Sequence, residues 1–197
     1  MNKQEFKERL LLSPQPENAD RFCIPDSVAH YKKYRESAVL IPAHEKNGEI
    51  HLLFTQRPFH LKHHPGQVCF PGGKISECDQ SYFHTALRET EEEIGITSNN
   101  IEILGSLPVQ HTYTGFKVFP VIALINDLSS LKLDPNEVSR CFSIPISEFF
   151  NALNRSEIRT SQQGIEYEVL VLHSQGEYIW GITASIIDVL VRKVSNN

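Results

Sequence analysis

Glu89, Glu92 and Glu93 stand at positions i, i+3 and i+4 of one short stretch, "ALRETEEEIGI". If that stretch is helical, each residue turns by ~100° and these three carboxylates become surface neighbours. Like charges at such spacings repel by roughly 0.2–0.5 kcal/mol per pair. They also precede Gly95 directly, where the C-terminal end of a helix dipole is already negative. A cation at this face would turn the repulsion into attraction. Three carboxylates on one face supply the hard oxygen ligands that Mg²⁺ or Mn²⁺ takes. A solvated acidic face is the alternative left by the glutamates alone; Glu91 points elsewhere on the wheel and reads as solvated.

The flanking residues favour chemistry on phosphate. Upstream stands "FPGGK", where Gly72 and Gly73 form a tight turn that lets backbone approach a phosphate closely, with Lys74 beside them. Arg88 adjoins the cluster, and its guanidinium fork can hold neighbouring carboxylates in position for metal binding. Glycines, arginine and carboxylates together suit a metal-bridged diphosphate, the ion neutralising its charge and the charge developing during displacement. Further cations stand close in sequence: Arg57, Lys62 and His64. His60, His63 and His64 raise a zinc site as an alternative, weakened by irregular spacing and by the lack of a nearby Cys or Asp partner. Cys69 and Cys78 flank the glycine turn without an evident activating group, which argues against thiol catalysis. Glu137, in "DPNEV", is a loop carboxylate that could reach the metal and serve as base.

These residues need elements to position them. Helical spacing runs from about Ser81 to Gly95, the glycine serving as a left-handed cap. Phe83, Leu87, Thr90 and Ile94 are its expected core face. Asn2 to Leu11 also read as helical, with Pro14 and Pro16 ending the pattern. In "ESAVLIPAHEKNGEIHLLFTQR" two β-rich runs flank Asn47-Gly48, a strong hairpin signal because both residues tolerate positive φ. A Gly/Pro/His-containing loop, Pro58 to Gly73, connects this hairpin to the glutamate stretch. Strands are predicted at Ile101–Leu107, Lys117–Ile125 and Val138–Ser143. A short helix at "IPISEFF" and a hairpin over "YEVLVLHSQGEYIW" follow. Thr183 is the expected cap of a last helix with Ile186, Ile187, Leu190, Val191 and Val194 on one apolar stripe. Phe116 and Trp180 read as core residues.

At 197 residues the chain suits one α/β domain. Apolar residues make up 40% and charged residues 22%, which excludes a disordered chain, and a net charge of −5 gives no reason to expect nucleic acid or an anionic membrane as partner. Four cysteines without C-x-x-C spacing suggest free thiols in a reducing compartment. The polar start and the lack of a ~20-residue apolar run suggest a cytoplasmic chain without a signal peptide or membrane span.

The stretch "GGKISECDQSYFHTALRETEEEIGI" resembles the Nudix box, G-x5-E-x7-R-E-U-x-E-E-x-G-U with U aliphatic. Gly73, Arg88, Glu89, Glu92, Glu93, Gly95 and Ile96 match. Asp79 stands where the pattern has Glu, with eight residues rather than seven between it and Arg88, and is given no role; Thr90 replaces the aliphatic residue after R-E. The upstream segment "LLFTQRPFHLKHHPGQVCFPGG" resembles the signature of the family's coenzyme A pyrophosphatase branch. Leu52, Leu53, Thr55, Arg57, Leu61, Lys62, His64, Gly66, Val68 and Phe70 to Gly73 fall in place. The longer box is also usual in that branch, and "TGFKVFPVIA" and "IWGITASII" resemble its later segments.

The resemblance implies an α/β/α sandwich around a mixed sheet, spanning residues 37–197, with residues 1–36 as an N-terminal extension packed on that single domain. It implies Mg²⁺- or Mn²⁺-dependent hydrolysis of CoA or acyl-CoA to 3′,5′-ADP and (acyl-)4′-phosphopantetheine. Glu89, Glu92 and Glu93 are the implied metal ligands, with Glu92, Glu93 and Arg88 as catalytic residues. Arg57, Lys62, His64, Gly72, Gly73 and Lys74 would bind substrate. Two other readings stand beside it: a Nudix hydrolase of ADP-ribose or NADH, and a silent nucleotide-binding module. The partner implied is a small molecule, with a homodimer left open.

Overall fold

A computed structural model describes residues 1–17, 19, 21–22, 34–162 and 165–195. Cys23 lies outside them. The sheet is organised by two long strands, β1 (Arg35–Lys46) and β7 (Phe116–Ile125), which pair in parallel from Arg35/Phe116 to Ala43/Leu124. Between them in sequence come β2 (Glu49–Gln56), β3 (Val68–Cys69), β4 (Gly72–Lys74), β5 (Ile101–Ser106) and β6 (Gln110–His111). The principal order is β3-β2-β1-β7-β5; β4 adds to β1, β6 to β7, and β8 (Arg140–Pro145) to β2. Every pairing except β1–β7 is antiparallel, so the sheet is mixed. A second sheet has the order β11-β10-β9, from β9 (Arg155–Gln162), β10 (Ile165–Ser174) and β11 (Glu177–Trp180).

Side-chain alternation along β1 separates two layers. Ala38 and Leu40 pack with Val121, Ala123 and Ala86 of helix α2 (Tyr82–Ile94). Ile41 and Ala43 face the other way, into the main core with Phe6 and Leu10 of α1 (Lys3–Leu12) and the stripe of α3 (Ile182–Ser195). In α3, Ile186, Ile187, Leu190, Val191 and Val194 are all buried as their spacing predicts, each worth roughly 1.5–3 kcal/mol of gross burial. The result is an α/β/α sandwich. No helix among the described residues is long and apolar enough to cross a membrane.

Local chemistry accounts for the boundaries. Asn47 and Gly48 take φ of 54° and 77° and turn β1 into β2. Asn2 caps α1 by accepting from the Glu5 amide. Ser81 caps α2 through the His84 amide, and Gly95 ends it at φ 72°. Residues 1–17 are tied to the body: Arg9 donates to the Val194 carbonyl, and buried Lys193 donates to that of Ser13.

Four expectations are corrected. Thr183 is not a cap: α3 begins one residue before it, and Thr183 is buried inside the first turn. Trp180 is 44% exposed, because alternation in β11 spends the inward position on Ile179. On α2 the buried residues are Thr85, Ala86, Thr90, Glu93 and Ile94, with Phe83 and Leu87 only half-buried. Val138 lies in the turn before β8, which starts at Arg140.

His44 and His51 face each other across the β1–β2 hairpin, ring centroids 5.6 Å apart. His44 Nε2 and His51 Nδ1 are both buried without a hydrogen-bond partner. Burial first, then His51 and Lys46, hold His44 below the ordinary histidine range. The unfolded chain therefore takes up protons more readily than the folded one as pH falls through about 6.5, and this site loses stability there. Urea unfolding of wild type and His44→Leu should show wild type losing ground to the variant between pH 7.5 and 5.5. Parallel pH profiles would remove the pair from that account.

Candidate active site

The α2 helix carries its carboxylates to the sheet edge where β4 meets β1. Gly72 and Gly73 pair with Val39 and Ala38. A Cβ on Gly72 would lie 2.3 Å from the Ala38 carbonyl oxygen, and its φ of 155° suits glycine. A Cβ on Gly73 would lie 2.3 Å from Glu89 Oε2, so this glycine leaves the space that the Glu89 carboxylate fills. The glycine turn thus holds backbone directly against the glutamate helix.

Glu89, Glu93 and Glu137 each offer a carboxylate oxygen, and these atoms lie within 4.8 Å of one another. Glu93 is 3% exposed; the Gly72 amide lies against its carboxylate, yet Oε2 has no hydrogen-bond partner. Burial, then Glu137 and Glu89, push its pKa up to about 8, against the pull of Arg57 and the Gly72 amide. Burial likewise raises Glu89, which is opposed by Arg88. A buried, unpaired carboxylate oxygen beside two more carboxylates fits a divalent cation, which would supply the missing partner.

Glu137 reaches this place through backbone bonds. The Asp134 amide donates to the Glu93 carbonyl at 3.0 Å, and the Lys132 amide to Ile94 at 2.9 Å. Asp134 Oδ1 then takes the Asn136 amide, closing the turn that presents Glu137. On the far side the Ser139 amide donates to the Gln56 carbonyl at 2.8 Å, next to Arg57.

Arg88 gathers the other carboxylates. It donates through Nε and Nη2 to the two oxygens of Asp79, both at 3.0 Å, and Nη1 lies 2.8 Å from Glu89 Oε1 and from Glu92 Oε2. Asp79, which the sequence left without a role, has a side chain fully withdrawn from solvent. It also accepts from the Ser76 amide and the Thr85 hydroxyl, and the Arg88 fork holds it well below the usual carboxylate range. Glu92 is 55% exposed on Arg88, outside the group of three. Thr90, the departure from an aliphatic residue, is buried with its hydroxyl donated to the Ala86 carbonyl.

The loop before β3 brings Arg57, half-buried, close enough to act on the charge of Glu93. Arg57 closes that loop with its own backbone, accepting from the Gly66 amide and donating to Gln67. Lys62, His64 and Lys74 are exposed. Burial raises the Cys69 thiol to about 11 and Cys141 to about 12, which keeps both protonated.

The family model described as the NUDIX domain matches residues 33–163. The "Uncharacterized Nudix hydrolase NudL" of Yersinia pestis (strain Pestoides F) is 36% identical over 176 residues, covering 87% of this chain and 88% of that protein. Among solved structures, a C. elegans Ap4A hydrolase binary complex aligns with a TM-score of 0.50 at 20% identity, over 56% of this chain and 80% of that one. A Nudix hydrolase from M. smegmatis, RenU, aligns with a TM-score of 0.50 at 14% identity, over 64% and 80%. At these identities the two structures speak for the fold alone.

Proposed function

Because the chain belongs to the Nudix domain family and is a Nudix pyrophosphohydrolase, we propose that its substrate is coenzyme A or an acyl-CoA. The diphosphate bond would be split by water into 3′,5′-ADP and (acyl-)4′-phosphopantetheine. The observation that carries this reading is the segment Leu52 to Gly73. It holds the residues of the CoA-branch signature, and its Arg57 lies within electrostatic reach of Glu93.

Glu89, Glu93 and Glu137 are the proposed holders of Mg²⁺ or Mn²⁺. When bound, the ion neutralises the diphosphate and makes a water molecule a better nucleophile. Arg88, anchored on Asp79, fixes Glu89, while Glu92 shares the guanidinium and stands ready at the solvent side. Glu137 is the exposed member of the group and is the proposed carboxylate for orienting water. Gly72 and Gly73 would let the diphosphate approach the backbone. Arg57, Lys62, His64 and Lys74 would answer the charge of a substrate that carries a 3′-phosphate besides its diphosphate.

The test is a set of kcat/KM values with Mg²⁺ or Mn²⁺. CoA and short acyl-CoAs should exceed ADP-ribose and NADH. Arg57→Ala and Lys62→Ala should each lose about tenfold to a hundredfold on CoA, the worth of one charge-assisted hydrogen bond. A loss that nearly vanishes on dephospho-CoA, which lacks the 3′-phosphate, would place the residue at that group, and equal losses on both would place it at the diphosphate, beside Glu93 in the case of Arg57. A preference for ADP-ribose or NADH would remove the CoA assignment.

A further inference from the structure

We propose that β9 is a self-pairing edge through which two copies of this chain join their second sheets into one six-stranded sheet. In the order β11-β10-β9, no strand among the described residues covers the outer side of β9. The strand is eight residues long, "RSEIRTSQ", and contains no Pro, Gly or Lys. It pairs with β10 in unbroken register from Leu172/Arg155 to Ile165/Gln162, so no bulge bends the edge away. The protection it carries is charge, Arg155, Glu157 and Arg159, with Glu157 opposite buried Leu170 on the inward face, so a partner strand must answer those charges before its backbone N–H and C=O groups can pair.

The charges select the partner and the register. Glu157 and Arg159 flank Ile158, which is 53% exposed, and the Arg159 side chain is 86% exposed. In an antiparallel pair with a two-fold axis at Ile158, Ile158 meets Ile158 of the second copy and each Glu157 meets Arg159. Ser156 then meets Thr160. Moving the axis to Glu157 or to Arg159 places like charges directly opposite each other, which is destabilising. The strand is thus complementary to itself in one register, as a two-fold interface demands. Within one chain these charges already have partners, Arg21 Nη2 at 3.2 Å from both Glu157 oxygens and Glu168 at 3.2 Å from Arg159, which contacts across the axis would supplement. Pairing would extend the outward apolar row that Ile158 shares with its register partner Val169, and with Trp180 and its partner Val171.

Analytical ultracentrifugation of the full chain at micromolar concentration should give the mass of a dimer. Glu157→Arg and Arg159→Glu should each shift it to monomer, and the double charge swap should restore the dimer. Ile158→Cys tests the axis independently. Cα atoms facing across an antiparallel pair are about 5 Å apart, within disulfide reach. Mild oxidation should therefore cross-link it to itself, whereas Ser156→Cys, opposite Thr160, should not cross-link. A wild-type monomer, a dimer indifferent to both single reversals, or an uncross-linked Ile158→Cys dimer would each overturn the interface.

Discussion

Glu93→Gln is expected to lower kcat/KM by about a thousandfold or more while leaving the metal-free fold at least as stable as wild type. Removal of one well-placed electrostatic group from an active site typically costs on the order of a hundredfold to a thousandfold, and here it removes the buried member of the proposed metal set. Glutamine matches the size of a protonated glutamate, the form that burial favours for Glu93 below about pH 8. The sign of the stability effect follows from that raised pKa. Between about 4.5 and 8 the folded chain holds a proton that the unfolded chain has released, so wild-type stability at this site falls as pH rises. The variant has no proton to lose. Its metal-free Tm should match wild type near pH 5 and exceed it at pH 8.5. The Tm increase that Mg²⁺ or Mn²⁺ gives wild type should be lost. Near-normal turnover in limiting Mg²⁺ would remove Glu93 from the metal site.

Asp79→Ala should have the largest effect on stability. Its carboxylate lies beneath the start of α2 and accepts from Arg88, Ser76 and Thr85. Breaking a buried pair by removing one partner costs about 3–5 kcal/mol. The lower end applies because Arg88 keeps Glu89 and Glu92 and part of its surface faces water. For a chain of this size about 3 kcal/mol corresponds to a Tm loss of roughly 6–12 °C. Activity measured well below that Tm should also fall, through a misplaced Arg88 and Glu89. Asp79→Asn keeps the shape and should recover part of the Tm but little of the activity. A Tm within 2 °C of wild type, on the order of the shift expected for a change below about 1 kcal/mol, would contradict the anchoring role.

The β1–β2 hairpin and the α2 boundaries were legible because single residues decide them: Asn47 and Gly48 accept positive φ, Ser81 caps, and Gly95 takes the left-handed turn. Helical spacing also brought Glu89 and Glu93 together. It could not separate Glu92 from them, because angles on a helix say nothing of Arg88, which lies one turn back and draws Glu92 toward solvent. Glu137 was visible only as a loop carboxylate; the amide bonds from the 132–134 segment to the end of α2 are tertiary and leave no local pattern. Asp79 escaped because the extra residue shifts it from the motif, and the Ser76–Asp79 turn absorbs that shift. The strand β9 has one strongly apolar residue, Ile158, so its alternation carried no signal.

Product analysis tests the proposed cleavage of the CoA diphosphate at this site most directly. Wild type should be incubated with CoA and Mg²⁺ in ¹⁸O-enriched water and the products weighed by mass spectrometry. The expected products are 3′,5′-ADP and 4′-phosphopantetheine in equal amounts, with label on only one of the two, and no turnover with Glu93→Gln. Intact CoA, or release of inorganic phosphate with dephospho-CoA, would contradict that cleavage.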